Sequence, residues 1–467
     1  MKRQQKEQVK PSVTAGKKGW DRRDFLTASL AGMAATVCCG MEPESETALL
    51  ANSPAAPPMP ASDLKDIKIT KVDRILFKTH WQQAETPWTR IWKKAHGEQW
   101  REAHMMSHDT WAILRIETNT GHVGAWTGGP GTIGPSYQKS VERRNYDVDT
   151  RLLGRDPFHR EAIWQETAEK TWMDLGGAVD VALWDLAGQI TGLPSHKLAG
   201  QCRDRIATYV TTPLNFGTPE EYAAYAVAGK KRGYQAYKIH PYSYYDPKRM
   251  RPDKSVKASP DYDIEICRLC RQAVGPDYLL MLDAQWVYEY DDALRVGREI
   301  EKLGFVWYES PMMDREDKHW PPYAKLTEAL DIPILAPEVM YGHTPRRMQM
   351  MKMEACDMMR IDPVCNGITA SLKMAAICEA WPMPLEMHGD FYGNFTVLAA
   401  TNEETCKYLE WWDLDPEENT PSGFAKPETH LSANMGKMDR DGYFAVPTRP
   451  GIGYEIDWDF VYANRIN

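Results

Sequence analysis

Tyr278-Leu279-Leu280-Met281-Leu282-Asp283 is an apolar run closed by an acid, and the pattern returns twice within the next 55 or so residues. Phe305-Val306-Trp307-Tyr308 ends in Glu309, and Ile332-Pro333-Ile334-Leu335-Ala336-Pro337 ends in Glu338. Working outward, Met358-Met359-Arg360-Ile361 ends in Asp362, Pro384-Leu385-Glu386-Met387 in His388, and Lys407-Tyr408-Leu409 in Glu410. Upstream, Gln235 to His240 is a further strand, closing on Lys238-Ile239-His240. Short apolar runs of this length read as buried strands. One charged strand end is ordinary; six in register predict a single site.

Between these runs lie helical patterns at about 219–231, 261–273, 291–303, 321–330, 345–352, 367–381 and 394–401. With the strand Ala207-Thr208-Tyr209-Val210, about eight strands alternate with helices from Ile206 onward. That alternation predicts an α/β fold, a parallel (β/α)8-type barrel rather than a doubly wound sheet. In such a barrel the strand C-termini converge on one face. Asp283, Glu309 and Glu338 then share a centre, where three carboxylates would resist joint ionisation without a cation between them. Hard oxygen donors with no nearby Cys or His favour Mg²⁺, with Mn²⁺ as a substitute. Taken singly, each acid reads equally well as a loop-facing or salt-bridged residue.

The segment before the barrel is of another kind. Ile67-Lys68-Ile69-Thr70-Lys71-Val72 and Thr110 to Glu117 alternate as strands, and Asn119-Thr120-Gly121-His122 turns into Val123-Gly124-Ala125-Trp126. Helical patterns follow from about Tyr137 to Gly188, so residues 66–200 read as an α+β domain. The polar stretch His80–Met106 is too long for a plain hairpin loop, and segments of that kind are commonly functional. Residues 201–415 hold the barrel, and 416–467 a Gly-, Pro- and aromatic-bearing tail with no barrel unit left to fill.

At the N-terminus, Asp21-Arg22-Arg23-Asp24-Phe25-Leu26 precedes a mildly apolar, Ala-rich run to Gly40. It resembles a twin-arginine export signal over residues 1–40 and implies a periplasmic or other extracytoplasmic location. The run is too short to span a membrane. Residues 41–65, with Pro54, Pro57, Pro58 and Pro60, read as a linker. Without the first 40 residues the chain holds 48 Lys/Arg against 62 Asp/Glu, a net of −14, which argues against a nucleic-acid partner. Of nine cysteines, seven lie in the body at no metal-like spacing, and Cys267-Arg268-Leu269-Cys270 sits in a helical pattern as buried thiols rather than a zinc pair.

The string Gly-Ala-Val-Asp-Val-Ala-Leu-Trp-Asp-Leu-Ala-Gly (177–188), then Gly192-Leu193-Pro194 and Leu198-Ala199-Gly200, is similar to the barrel entry of the mandelate racemase and muconate lactonizing branch of the enolase superfamily. Leu-Asp-Ala-Gln (282–285), Tyr-Glu-Ser-Pro (308–311) and Ala-Pro-Glu (336–338) match that family's metal triad. The resemblance covers about residues 66–460 and implies a (β/α)7β barrel with an N-terminal capping domain completed by the tail. It also implies Mg²⁺-dependent abstraction of a proton α to a carboxylate, through an enediolate. Lys238 matches the first lysine of the family's Lys-x-Lys, and His240 replaces the second, as base or as substrate contact. Asp362 and His388 match a His–Asp dyad, and Glu410 an acid that faces the substrate carboxylate and so carries or shares a proton. Gln285 is assigned to a substrate hydroxyl.

Sugar-acid dehydration to a 2-keto-3-deoxy acid leads by analogy with that branch; racemisation or epimerisation of an α-substituted acid is the alternative. A non-catalytic exported binding protein stands as a third reading. The expected partner is a small carboxylate, an acid sugar, in a homo-oligomer, with specificity carried by His80–Met106 and by the insert Pro241–Pro260.

Overall fold

The computed structural model describes residues 58, 60–79, 87–96, 110–171, 173–212, 216–241, 245–246, 251–252, 259–338, 340, 343–389, 391–413, 430–433 and 438–466, all within one compact unit. The strands Ile69–Lys78, Thr110–Thr118 and Val123–Gly128 form an antiparallel sheet in that order. The helices Pro135–Arg144, Arg160–Lys170 and Met173–Thr191 complete this capping layer. Leu114, Ile116 and Trp126 on the sheet and Val179, Leu183 and Leu186 on the last helix belong to one buried apolar cluster.

Eight barrel strands follow: Arg205–Thr211, Ala236–Ile239, Leu279–Asp283, Tyr308–Glu309, Ile334–Leu335, Met359–Ile361, Leu385–Met387 and Tyr408–Trp412. Each pairs in parallel with the next from the first to the fifth. A parallel bridge from Leu335 to Met358 reaches the sixth, which pairs with the seventh. Leu385 N donates to Thr405 O (2.7 Å), and the eighth strand returns in parallel to the first. The eight strands thus follow one another around a ring. Several strands are shorter than their apolar runs, because the outer ends of those runs leave the ladder.

Alternation along each strand sorts its side chains. Ala207, Tyr209, Ala236, Met281, Trp307, Leu335, Met358 and Tyr408 form a second apolar cluster that plugs the barrel. Lys238, Asp283, Glu309, Arg360 and Glu410 lie further along the same inward faces, each two positions beyond a plug residue, as in Met281 then Asp283 and Trp307 then Glu309. The connecting helices are set by local signals. Helix Pro219–Arg232, for example, starts on a capping box in which Thr218 and Glu221 exchange side-chain and backbone hydrogen bonds.

The tail does two jobs rather than one. Tyr443–Ala445 pairs antiparallel with the first barrel strand, extending the sheet at a point where no strand was expected. Beyond it the tail packs on the cap: Val461 shares a buried cluster with Ile75, Phe77, Ile113 and Ala125. Both jobs meet at helix Met173–Thr191. Its Asp185 accepts from Ala125 N (2.9 Å) in the cap sheet and from Ile452 N (3.1 Å) in the tail. Gly451 passes so close, at φ +73°, that a Cβ there would meet Asp185 Oδ1.

Burial outweighs those hydrogen bonds and pushes the Asp185 carboxyl up to about 7. A native pKa above the unfolded value near 3.9 means that the folded state holds its proton longer. The contribution to stability is therefore complete at about pH 4 and is lost as pH rises towards 7, at up to about 1.4 kcal/mol per unit. Denaturant unfolding of the wild type and of Asp185→Asn between pH 4 and 8 is expected to show a slope shallower in the variant by about the one proton that Asp185 contributes.

Candidate active site

Asp283, Glu309 and Glu338 end the third, fourth and fifth barrel strands, are all buried, and each offers an oxygen within 4.8 Å of the others. The backbone amide of Gln285 donates to Asp283 Oδ1 (2.9 Å). Glu338 Oε2 is buried and accepts no hydrogen bond among the described residues. Burial pushes the Glu338 carboxyl up to about 8, and the charges of Asp283 and Glu309 add to the rise. Three converging oxygen donors, one of them orphaned, fit a divalent cation of the Mg²⁺ type.

Two buried cations stand beneath the triad. Lys238 Nζ lies 2.6 Å from Glu410 Oε1, 3.0 Å from Glu309 Oε2 and 3.6 Å from Asp283 Oδ2. Arg360 Nε lies 2.8 Å from Glu309 Oε1, and its Nη2 lies 2.5 Å from Glu410 Oε2. Gly389 N also donates to Glu410 Oε2 (2.8 Å). Burial alone would raise the Glu410 carboxyl, but Lys238 and Arg360 overcome it and hold the group well below the usual range. Both Glu410 oxygens are thus paired to cations, so of the two expectations, a proton carried or a proton shared, the arrangement disfavours one carried by Glu410 alone. Nearby, Glu386 is the group held up: burial lifts it to about 8, and its Oε2 accepts no hydrogen bond among the described residues.

Asp362 and His388 come together as the sixth and seventh strands end, with Nδ1 to Oδ2 at 3.1 Å. Asp362 also caps helix Pro363–Ala380 by accepting from Val364 N (2.7 Å), which fixes its carboxylate against the ring. The Cys365 thiol donates to Asp362 Oδ2 as well (3.4 Å). His388 Nε2 points towards the triad, 3.2 Å from Glu338 Oε1. Burial disfavours its charge, but Glu338 and Asp362 outweigh that and lift the ring to about 9. The His388 side chain remains about one-fifth exposed.

His240 is placed differently. It is buried; Nδ1 lies 2.6 Å from Thr212 O and 2.9 Å from Thr211 Oγ1, and Nε2 lies 3.0 Å from Asp283 Oδ2. Trp412 stacks on its ring, with centroids 5.2 Å apart.

The nine residues singled out in the sequence thus fall at the same barrel end, eight of them linked by direct side-chain contacts; for Gln285 the structure gives only the backbone contact to Asp283 and a left-handed φ of +53°. Arg360 and Glu386 were passed over, although each interrupts an apolar run at a position facing inward. Much of the two expected specificity segments, including Trp81, Tyr242, Tyr244 and Lys248, lies outside the described residues. Trp88 is described, on helix Pro87–His96; it is buried and stacks on Phe216 and edge-on to Tyr225, a packing contact rather than an open grip. Cys267 and Cys270 are buried on helix Pro260–Val274. Among the described residues no helix is long and apolar enough to cross a membrane.

The chain is similar to known proteins over most of its length. Residues 98–200 match the model of the mandelate racemase / muconate lactonizing enzyme N-terminal domain, and residues 221–460 match that of the enolase C-terminal domain-like family. The chain is 31% identical to the crystal structure of a D-glucarate dehydratase from Agrobacterium tumefaciens complexed with magnesium. The TM-score is 0.71, over 86% of this chain and all of that one. It is 27% identical over 360 residues to an arabinonate dehydratase of Saccharolobus solfataricus, covering 73% of this chain and 87% of the relative. It is 28% identical over 311 residues to an L-Ala-D/L-Glu epimerase of Clostridium acetobutylicum, covering 64% and 79%.

Removing one partner from a buried charge network leaves the others unpaired in low dielectric, at a cost of about 3–5 kcal/mol. Arg360→Met is accordingly expected to lower the unfolding free energy by that amount in urea titrations, whereas Glu386→Gln, which replaces a neutral acid by a neutral amide, is expected to be nearly silent at pH 7.

Proposed function

The chain belongs to the mandelate racemase and muconate lactonizing enzyme family of the enolase superfamily, and from that premise we propose that it dehydrates an acid sugar to a 2-keto-3-deoxy acid. Supporting the reading is the orientation of His388: its ring is held by Asp362 at one nitrogen and directed at the carboxylate triad by the other. Asp283, Glu309 and Glu338 would hold Mg²⁺, with Mn²⁺ as a surrogate. The cation supplies, when bound, the positive charge that makes a proton beside a carboxylate acidic enough to remove.

The protein's own groups do the rest. His388 Nε2, neutral once the Glu338 charge that lifts it is engaged in holding a cation, takes the α-proton, and the Asp362 carboxylate stabilises the imidazolium so formed. The C–H electron pair becomes the Cα–Cβ double bond as the β-hydroxyl leaves. The His388 imidazolium returns a proton to that hydroxyl, so water departs, and the enol tautomerises to the ketone. Lys238 and Arg360 hold Glu309 and Glu410 in place and keep the site from accumulating negative charge. An exported location remains part of the proposal, resting on Arg22-Arg23 and the apolar run after them.

Epimerisation is the second reading, favoured by the epimerase among the relatives. It shares the first proton transfer and differs in returning the proton to the opposite face.

Incubation with Mg²⁺ in D₂O and a panel of arabinonate, xylonate, galactonate, galactarate and glucarate separates the two. A new 2-keto-3-deoxy acid supports dehydration, and an inverted product deuterated at the α-carbon supports epimerisation. Tight Mg²⁺ binding with neither product nor exchange would sink both. His388→Asn is expected to lower turnover by about 10²–10⁴-fold while Mg²⁺ affinity persists; retained turnover would remove His388 from the mechanism.

A further inference from the structure

We infer that Lys238 and His240 form a positioning arm for the metal ligands, leaving His388 alone to exchange protons with the substrate, so that the chemistry is confined to one face of the α-carbon. This rests on the reading of Asp283, Glu309 and Glu338 as cation ligands.

Proton exchange on the second face needs a nitrogen that is both free and in reach. Lys238 offers none. Its ammonium is wholly buried, held by Glu410 (2.6 Å) and Glu309 (3.0 Å) with the Asp283 carboxylate 3.6 Å away, so its charge is spent on carboxylates.

His240 is held at both nitrogens. The Thr212 carbonyl and the Asp283 carboxylate both only accept, so the two contacts are hydrogen bonds together only with a hydrogen on each ring nitrogen, and Nε2 is turned onto Asp283 Oδ2 rather than into open space. Trp412 covers one face of the ring, and the backbone carbonyl of His240 is itself held by the Tyr222 hydroxyl (2.5 Å). A rotation that freed Nε2 would break the contacts to Thr212, Asp283 and Trp412 together. His388 differs in one decisive respect, its partial exposure: about 20% of its side chain against 1% for that of His240 and none for that of Lys238.

Asp283 is therefore fixed from two sides: the Gln285 amide takes Oδ1, and His240 and Lys238 approach Oδ2. Partners of this kind orient a ligating group, and their loss commonly lowers metal affinity about 10–100-fold. A single reactive face suits elimination, in which one group takes the α-proton and returns a proton to the leaving oxygen. It does not suit inversion, which needs a proton donor on the far side.

Two variants test the assignment, His240→Leu without a donor and His240→Gln with a donor able to reach Asp283. Mg²⁺ affinity is read by calorimetry with Mg²⁺ alone, and turnover of the acid-sugar panel at saturating Mg²⁺. The expected result is a 10–100-fold weaker Mg²⁺ complex for His240→Leu, recovery towards wild type for His240→Gln, and turnover within tenfold of wild type for both. Unchanged Mg²⁺ affinity with turnover lost in both variants would make His240 a proton-transfer residue and overturn the inference. An inverted, α-deuterated product from the wild-type protein would overturn it as well. Because the calorimetric readout uses no substrate, it stands or falls separately from the choice of acid sugar. Should His240→Leu not fold, Thr212→Pro is not a substitute; His240→Gln against wild type then carries the test through the turnover readout, where loss of turnover with Mg²⁺ affinity retained rejects the inference.

Discussion

Everything at the mouth of this barrel depends on Lys238 and Arg360. They enter from the second and sixth strands and between them pair both oxygens of Glu309 and of Glu410. Without them the strand ends would crowd buried carboxylates into a low-dielectric space, where each added negative charge makes the next harder to ionise. With them, Glu309 and Glu410 are neutralised from below, and the negative charge left over belongs to the oxygens that face the centre. The barrel is consequently built in two storeys. An apolar plug around Trp307, Tyr209 and Met358 carries the packing, and a polar storey above it carries the chemistry.

Helix Met173–Thr191 does comparable work for the two domains. Asp180 accepts from both the amide and the hydroxyl of Thr369 (2.8 and 2.6 Å), so it caps the helix that resumes after Gly367. Gly367 itself, at φ +84°, is the one place where the chain breaks the helix after Asp362, and a Cβ there would strike Asp180. One turn along, the Trp184 indole donates to Thr369 Oγ1 (3.0 Å), and Asp185 holds the cap sheet and the tail. The position of the dyad aspartate is therefore coupled, through a single helix, to the packing of the cap.

The strand-end ladder was legible in the sequence because a strand has a period of two and a barrel aligns its C-termini. Asp283, Glu309, Asp362, His388 and Glu410 follow from that rule, whereas Glu338 stands three residues beyond the plug residue Leu335, past the cis Ala336–Pro337 bond. Arg360 and Glu386 obey the same period but lie inside Met-Met-Arg-Ile and Leu-Glu-Met, where a charge looks like an interruption of a core strand rather than part of its inner face. Missing Arg360 had a direct cost, since the charge of Glu410 cannot be judged without it. The contact between His240 and Asp283 was beyond reach for another reason: it joins side chains from neighbouring strands, and nothing in local spacing records it. The strand at Tyr443–Ala445 escaped notice because three residues carry too little periodicity to separate from a turn-rich tail.

The tail has a bearing on how the molecule comes into being. Ser195 N donates to Gly451 O, Gly451 N donates to Leu193 O, and Ile466 N donates to Leu76 O in the first strand of the cap. These pairings join the capping domain to residues more than 250 positions further along the chain. Synthesis delivers residues in order, so Phe77 and Ile113 of the cap sheet lack their Val461 cover until that residue has been made. Native contacts of such long sequence separation form slowly. Completion of the cap therefore has to wait until the intervening barrel residues have been synthesised, so the barrel segment is available first as a surface for the late-coming tail.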